Sequence, residues 1–308
     1  MYKSTPVSKP IKYISTVVIF AAFIFILFKY REDFYIIRDV SISQFIAASI
    51  LILFTITLNG SKLNLITETF NIRLQAREWF ALSSMTTVLN SVFFKAGSLA
   101  TSTYLKKKYD FPYTSFVGTF LGDQLIILFM ATLFGSAISL YLGLSGNTKI
   151  LFVFVVFALI ANLLVFLMHG KIGVPQKGNT TFDFLRHGIE SLNMLLKNKN
   201  LLYSLGTHNI FLVITIGLRL LVACSILHLE IPLSHCYLFA TVMIFIRAFP
   251  LTHSDIGLRE LTVGFLSGIL GGGLKIGVLT VAVDRIFELF WPALCATIFR
   301  NSLMRAKD

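Results

Sequence analysis

Long apolar stretches separated by short charged segments dominate this chain. Between Asp39 and Lys62, 22 consecutive residues carry no charge, and the 19 residues from Ile150 to Met168 contain Asn162 as the only strongly polar side chain. A helix of about 20 apolar residues is long enough to cross a bilayer. The pattern predicts membrane-spanning helices at 13–28, 42–60, 79–94, 112–143, 150–168, 201–228 and 233–250, followed by a broken pair at 256–270 and 274–299.

These segments indicate an all-α polytopic membrane protein with about 7–9 membrane segments, forming a single integral membrane domain over 1–308. The composition supports this fold class, because only 14% of the residues are charged and a soluble domain carries about a quarter. The three cysteines, Cys224, Cys236 and Cys295, are scattered without a paired motif, so we expect buried core residues. Neither a metal site nor a cofactor is expected.

The formal net charge of +12 comes from basic residues in the short segments between predicted spans. This distribution follows the positive-inside rule and favours membrane lipids, not nucleic acid, as partners. The lysine-bearing first 12 residues, the loop 170–200 and the C-terminal tail all carry a basic excess. We therefore expect both termini and this loop to be cytoplasmic.

Part of the loop 170–200 has helical periodicity. In "FDFLRHGIESLNMLL", Phe184, Ile189, Leu192 and Leu196 fall roughly along one stripe. Such a stripe is typical of a helix lying on the membrane surface. An ordinary connecting helix is the alternative.

An internal echo suggests two related halves, at about 42–143 and 201–300. "KAGSLATSTYL" begins at Lys95 and is followed by "DQLIILF" at Asp123, whereas "DIGLRELTVGFL" begins at Asp255 and is followed by "DRIFELF" at Asp284. Gly97 and Gly257 would break the helix in each half, and the loop charges place the two copies in opposite senses. Inverted repeats with broken segments indicate a transport site near the bilayer midplane. Chance similarity among abundant Leu, Ile and Phe residues is the alternative.

Several charged residues fall at membrane depth, where each costs about 2.5–3.5 kcal/mol unless it faces a partner or a watery cavity. The bases that could receive a phosphate or headgroup are Lys95, Arg219, Arg247 and Arg259. The residues that could support them or couple protons are Asp123, Asp255, Glu260, Asp284, Arg285 and Glu288. The competing interpretation is that these charges only form ion pairs that lock helices together.

Arg259 and Glu260 are adjacent, so on a helix they point about 100° apart and cannot pair as i,i+4 neighbours do. We expect Glu260 to lie close to a base such as Lys95 or Arg285. Arg259 would then face a cavity.

The two long motifs resemble a known family. "NSVFFKAGSLATSTYLKKKYDFPYTSFVGTFLGDQLIILF" and "FPLTHSDIGLRELTVGFLSGILGGGLKIGVLTVAVDRIFEL" look like the membrane domain of lysylphosphatidylglycerol synthases, which also occurs alone in flippase-like proteins of bacteria and archaea. By this resemblance, Lys95 matches the family's basic residue, Gly97 the glycine that follows it, and Tyr104–Leu105 the next helix. Gly257, Arg259 and Glu260 match the family's G-x-R-E element, and Asp284–Arg285 matches its acidic–basic pair.

The sequence departs from the family pattern at two places. Phe93 and Ser98 stand where a proline and a glutamate are usual, and Ser254–Asp255 replaces a glycine pair. The resemblance therefore does not specify which headgroup is bound. The aminoacyl-transfer domain is absent from this sequence, so aminoacylation is not implied.

The resemblance implies an inner-membrane flippase or transporter of an anionic lipid or a polyprenyl-phosphate-linked substrate, in the cytoplasmic membrane of a bacterium or archaeon. We expect it to be non-catalytic. The alternative is an accessory partner of a glycosyltransferase or another lipid-modifying enzyme. A membrane transferase acting on a lipid phosphate is a third hypothesis.

Overall fold

The computed structural model describes residues 40–92, 95–169, 180–248, 255, 257–299 and 303. In this part of the chain there are ten α-helices and no β-strand. The helices are α1 (Ile42–Glu68), α2 (Ala76–Val92), α3 (Ala96–Tyr109), α4 (Tyr113–Leu144), α5 (Ile150–His169), α6 (Thr180–Lys197), α7 (Lys199–Ile226), α8 (Leu233–Ala248), α9 (Leu258–Ile269) and α10 (Leu274–Ile298). The predicted first span at 13–28 lies outside the described residues, as does nearly all of the C-terminal tail.

Four of these helices, α1, α4, α5 and α7, are long and apolar enough to cross a membrane, and α8 is a shorter apolar helix. Helix α10 has 25 residues, enough to span a bilayer, but it also contains Lys275, Asp284, Arg285 and Glu288. The prediction of an all-α polytopic membrane protein is therefore confirmed.

Helix α1 is longer than the apolar pattern predicts. It begins at a capping box, in which the Ser41 side chain accepts from the backbone N–H of Gln44 and the Gln44 side chain accepts from that of Ser41. It continues to Glu68, eight residues beyond the predicted end at 60. As a result, Lys62 lies inside the helix instead of at the edge of a loop.

Helix α4 runs unbroken for 32 residues, about 48 Å at 1.5 Å per residue. Two of its glycines accommodate α6. A methyl group on Gly118 would lie 2.1 Å from the backbone oxygen of Gly188, and Gly122 faces the side chains of Leu192 and Leu195. Helix α6 therefore packs against α4, and Leu192 of the predicted stripe is one of the contacts. The position of α6 on the membrane surface stays a prediction.

The core lies where α4, α5, α7, α8 and α9 meet, around fully buried side chains such as Leu220 and Phe239. Helix α5 sits on the outside of this core, and its Phe152 and Phe166 are 73% and 74% exposed. In a bilayer these side chains would face lipid. The three cysteines are unpaired and buried, which confirms their prediction as core residues.

Candidate functional site

The two glycine-containing motifs each start a short helix. Helix α3 begins after Lys95 with φ of 55°, and α9 begins after Gly257 with φ of 82°. The first N–H groups of a helix need acceptors outside the helix itself. The Asn90 side chain of α2 accepts from the backbone N–H of Gly97 at 2.9 Å, and the Glu260 carboxylate accepts from that of Gly257 at 2.9 Å. Both helix breaks are thus capped by polar side chains inside the protein.

Close contacts fix these short helices to their neighbours. A methyl group on Gly97 would lie 2.2 Å from the backbone oxygen of Thr86 in α2, and one on Gly277 would lie 2.5 Å from that of Val263 in α9. No real carbon atom approaches an oxygen so closely. Only glycine lets α3 lie against α2 and α10 lie against α9.

Three arginines from three helices converge on α10. Arg219 of α7 donates two hydrogen bonds to Asp284, at 2.8 and 2.7 Å, in a bidentate ion pair. One turn further along α10, Glu288 accepts from Arg247 of α8 and from Arg259 of α9, the latter at 3.1 Å. Arg219 also lies 3.7 Å from Glu288. One carboxylate therefore holds three guanidinium groups together.

Glu260 and Arg259 point to different partners, as their positions on a helix predict. The Glu260 carboxylate is fully buried and lies 2.7 Å from the Nε of Arg285, which confirms the predicted contact. The two groups form an ion pair by distance, although the N–H is not aimed at the oxygen well enough for a hydrogen bond. Arg285 also donates to the backbone oxygen of Asp255 at 3.2 Å.

A second buried ion pair joins α1, α4 and α7. The Lys62 ammonium lies 2.8 and 3.1 Å from the carboxylate oxygens of Asp123, and it donates to the Asn209 side chain at 2.9 Å. Asn209 in turn donates to Asp123 at 3.3 Å. All three side chains are buried. The two charges therefore neutralise each other inside the bundle, as charges at membrane depth require.

Lys62 and Asn209 were not among the predicted site residues, since Lys62 marks the end of an apolar run in the sequence. The spacing of the ion pairs is a signal that could have found Lys62. Lys62 and Asp123 are 61 residues apart, and Arg219 and Asp284 are 65 apart. Lys62 and Asp123 both lie in the predicted first half, and Arg219 and Asp284 both lie in the predicted second half. The repeat itself stays a prediction.

A cavity of about 310 Å³ lies between the two helix breaks and is lined by residues of every described helix except α5 and α6. Four bases and three acids line it, so one positive charge is in excess. These charged residues are Lys62, Lys95, Arg247, Arg259, Asp123, Asp255 and Glu288. The Lys95 ammonium lies 4.8 Å from the ring centre of Phe120, within range of a cation–π contact. An anion is therefore the ligand that this charge balance favours.

The other predicted site residues lie beside this cavity and do not line it. Arg219 and Asp284 border a narrow space of about 10 Å³ behind it, and Arg219 is 97% buried in its bidentate pair. Glu260 and Arg285 line neither space. Three of the four predicted bases therefore line the cavity: Lys95, Arg247 and Arg259. The fourth, Arg219, is instead bound to Asp284 inside the protein.

The match to known families is specific and nearly complete. The family model described as the lysylphosphatidylglycerol synthase TM region matches residues 13–296. Comparison with curated proteins and with solved structures finds no match to either. The family match covers both helix breaks and both buried aspartates, and it confirms the resemblance on which the sequence analysis relied. Taken with the helical membrane fold, it shows that the chain belongs to the lysylphosphatidylglycerol synthase TM region family.

Proposed function

We propose that the protein moves an anionic lipid, or a substrate linked to a polyprenyl phosphate, across the cytoplasmic membrane without a catalytic step. The observation that carries this proposal is the cavity of about 310 Å³ between two broken helices, with four bases and three acids in its lining. Non-helical backbone at membrane depth occurs where it borders a cavity or is covered by protein. In many transporters, substrate sites lie at such breaks.

Arg259 and Arg247 are the groups best placed to receive the phosphate. The guanidinium group binds phosphate oxygens in a planar, bidentate geometry and stays charged when buried. Arg259 is only 4% exposed, and its Nε–H has no acceptor within the described chain. It therefore has a free hydrogen-bond donor beside the cavity. Arg219 and Asp284 would hold α7 against α10 instead of touching the lipid.

The charge distribution gives the proposed orientation, in which both termini and the loop 170–200 lie in the cytoplasm. A basic cytoplasmic rim would also attract the anionic headgroups that the cavity receives.

Transport can be tested in reconstituted vesicles with a fluorescent phosphatidylglycerol analogue. The wild-type protein is expected to speed its transfer between leaflets, and Arg259→Ala is expected to reduce that rate at least about tenfold. The matched control is Arg73→Ala. The Arg73 side chain is 89% exposed, and its one ion pair is a long surface contact of 3.8 Å with Glu68. Transfer no faster than in protein-free vesicles, with stable co-purification of a lipid-modifying enzyme, would favour the accessory role instead.

A further inference from the structure

Neutral polar side chains are the largest class in the lining of the cavity. Of its 28 lining residues, 12 are Ser, Thr, Asn or Gln, compared with seven that are charged. A site for a bare phosphate would need few groups beyond the bases. The excess of neutral polar over charged side chains indicates that the ligand also brings hydrogen-bonding groups that carry no charge.

Six of the nine hydroxyl groups in this lining donate their protons to backbone oxygens. Thr55, Thr87 and Ser91 each donate to the backbone oxygen four residues earlier, at 2.8–2.9 Å, and Ser83 donates to the backbone oxygen of Ile56 at 2.8 Å. A hydroxyl oxygen keeps two acceptor positions after its proton is used. The wall therefore offers acceptors, and its complement is a ligand rich in O–H or N–H donors.

Two amides add donors and acceptors together. Asn59 of α1 and Gln124 of α4 both line the cavity, and neither side chain is found in a hydrogen bond with another described residue. An amide can donate to one hydroxyl and accept from a neighbouring one. Adjacent hydroxyl groups, as in a sugar or another polyol, match this pair of functions.

A cationic headgroup fits this cavity less well than a neutral one. Of the three carboxylates in the lining, Asp123 is paired with Lys62, and Glu288 is paired with Arg247 and Arg259. Asp255 is the third and belongs to neither pair. Because the four bases of the lining still leave one positive charge in excess, the lining opposes an added ammonium group and does not oppose a hydroxyl group.

We propose that the headgroup recognised here is a phosphate bearing a neutral polyhydroxylated group, such as a sugar or cyclic polyol. Arg259 and Arg247 receive the phosphate, and the Asn59 and Gln124 amides with the hydroxyl-lined wall receive the polyol. A volume of about 310 Å³ lies at the lower end of small-molecule sites, so it suits a headgroup whose chains remain in the membrane. This inference rests on the proposed function, since it takes the lipid to be the ligand.

The test compares lipids of equal charge in nanodiscs. Phosphatidylinositol and phosphatidylmethanol with the same acyl chains each carry one phosphodiester, and only the first carries a polyol. We expect phosphatidylinositol to bind at least about tenfold more tightly, because one or two additional hydrogen bonds contribute about that factor. Equal affinities, or tighter binding of a lysyl-phosphatidylglycerol, would overturn the inference.

Variants assign the preference to the proposed residues. Asn59→Leu and Gln124→Met remove amides that bond to nothing in the described protein, so they leave no buried group unpaired. Each is expected to bring the ratio of the two affinities towards one, whereas an unchanged ratio in both variants would contradict the assignment. Arg259→Ala should weaken both lipids together.

Two further outcomes separate this inference from the proposed function. Binding of both lipids with equal affinity would leave lipid transport standing and defeat only the polyol preference. Binding of neither lipid would defeat the polyol preference together with transport of a phospholipid, and would leave only the polyprenyl-phosphate-linked substrate of the proposed function. Soluble inositol 1-phosphate is expected to compete only weakly, and affinity equal to that of the lipid would show that a free phosphate ester, not a lipid, is the ligand.

Discussion

At the scale of single residues, Arg259 and Glu260 occupy adjacent positions but are held by different parts of the protein. Glu260 caps the start of α9 and lies against Arg285, whereas Arg259 contacts Glu288 at the cavity wall. Removing either side chain leaves a different set of charges behind. The adjacent pair would therefore separate a structural role, that of Glu260, from the ligand-binding role proposed for Arg259.

We predict that Glu260→Ala destabilises the protein by about 3–5 kcal/mol, because it leaves Arg285 buried without its carboxylate and the α9 N-terminus without its cap. Arg259→Ala should cost much less, since Glu288 keeps Arg247 and Arg219 nearby. Unfolding in detergent micelles, followed during SDS titration, measures both. Glu190→Ala on the surface of α6 is the control and should change stability little. Equal loss of stability in the two α9 variants would contradict this separation of roles.

At the scale of helices, apolar runs predicted the spans closely where no charge interrupts them. The predicted spans 112–143 and 150–168 correspond to α4 and α5 within about one residue. The end of α1 was missed because Lys62 ends the apolar run in the sequence. Lys62 can lie inside a membrane helix only because Asp123 and Asn209, which are distant in sequence, bind its ammonium group. The Glu260 contact could be anticipated from helix periodicity, but the pairing of Arg219 with Asp284 depends on how α7 packs against α10. Charges therefore conceal a helix end when their partners lie far along the chain.

The α9–α10 hairpin gives a prediction about packing. Gly277→Ala is expected to force the two helices apart and destabilise the protein by about 1–3 kcal/mol, as overpacking of a tight contact does. Gly268→Ala is the matched control on α9, because the nearest atom to its new methyl group is 4.0 Å away, and alanine is the better helix former. Thermal unfolding in detergent compares them. Similar stability of the two variants would show that the hairpin is not closely packed at Gly277.

At the scale of the whole molecule, the proposed membrane orientation rests on charge counts, and chemical labelling can test it. The native cysteines are buried, so the background for a thiol reagent is low. A membrane-impermeant maleimide added to intact cells is expected to label Glu230→Cys and not Thr180→Cys, because the segment 229–235 contains no Lys or Arg, which favours the outside. Permeabilised cells should show labelling at both positions. Labelling of Thr180→Cys in intact cells would reverse the proposed topology.

The sharing of Glu288 among three arginines has a kinetic consequence for the proposed carrier. Three unopposed guanidinium groups would hold a phosphate tightly, and a tightly held lipid would leave slowly. Here an arriving phosphate has to compete with Glu288 for Arg247 and Arg259, and Glu288 can take those arginines back when the phosphate departs. Passage across a membrane requires binding strong enough for entry and weak enough for exit. The built-in competitor would thus set how long each lipid stays and, through that dwell time, how many lipids cross per second.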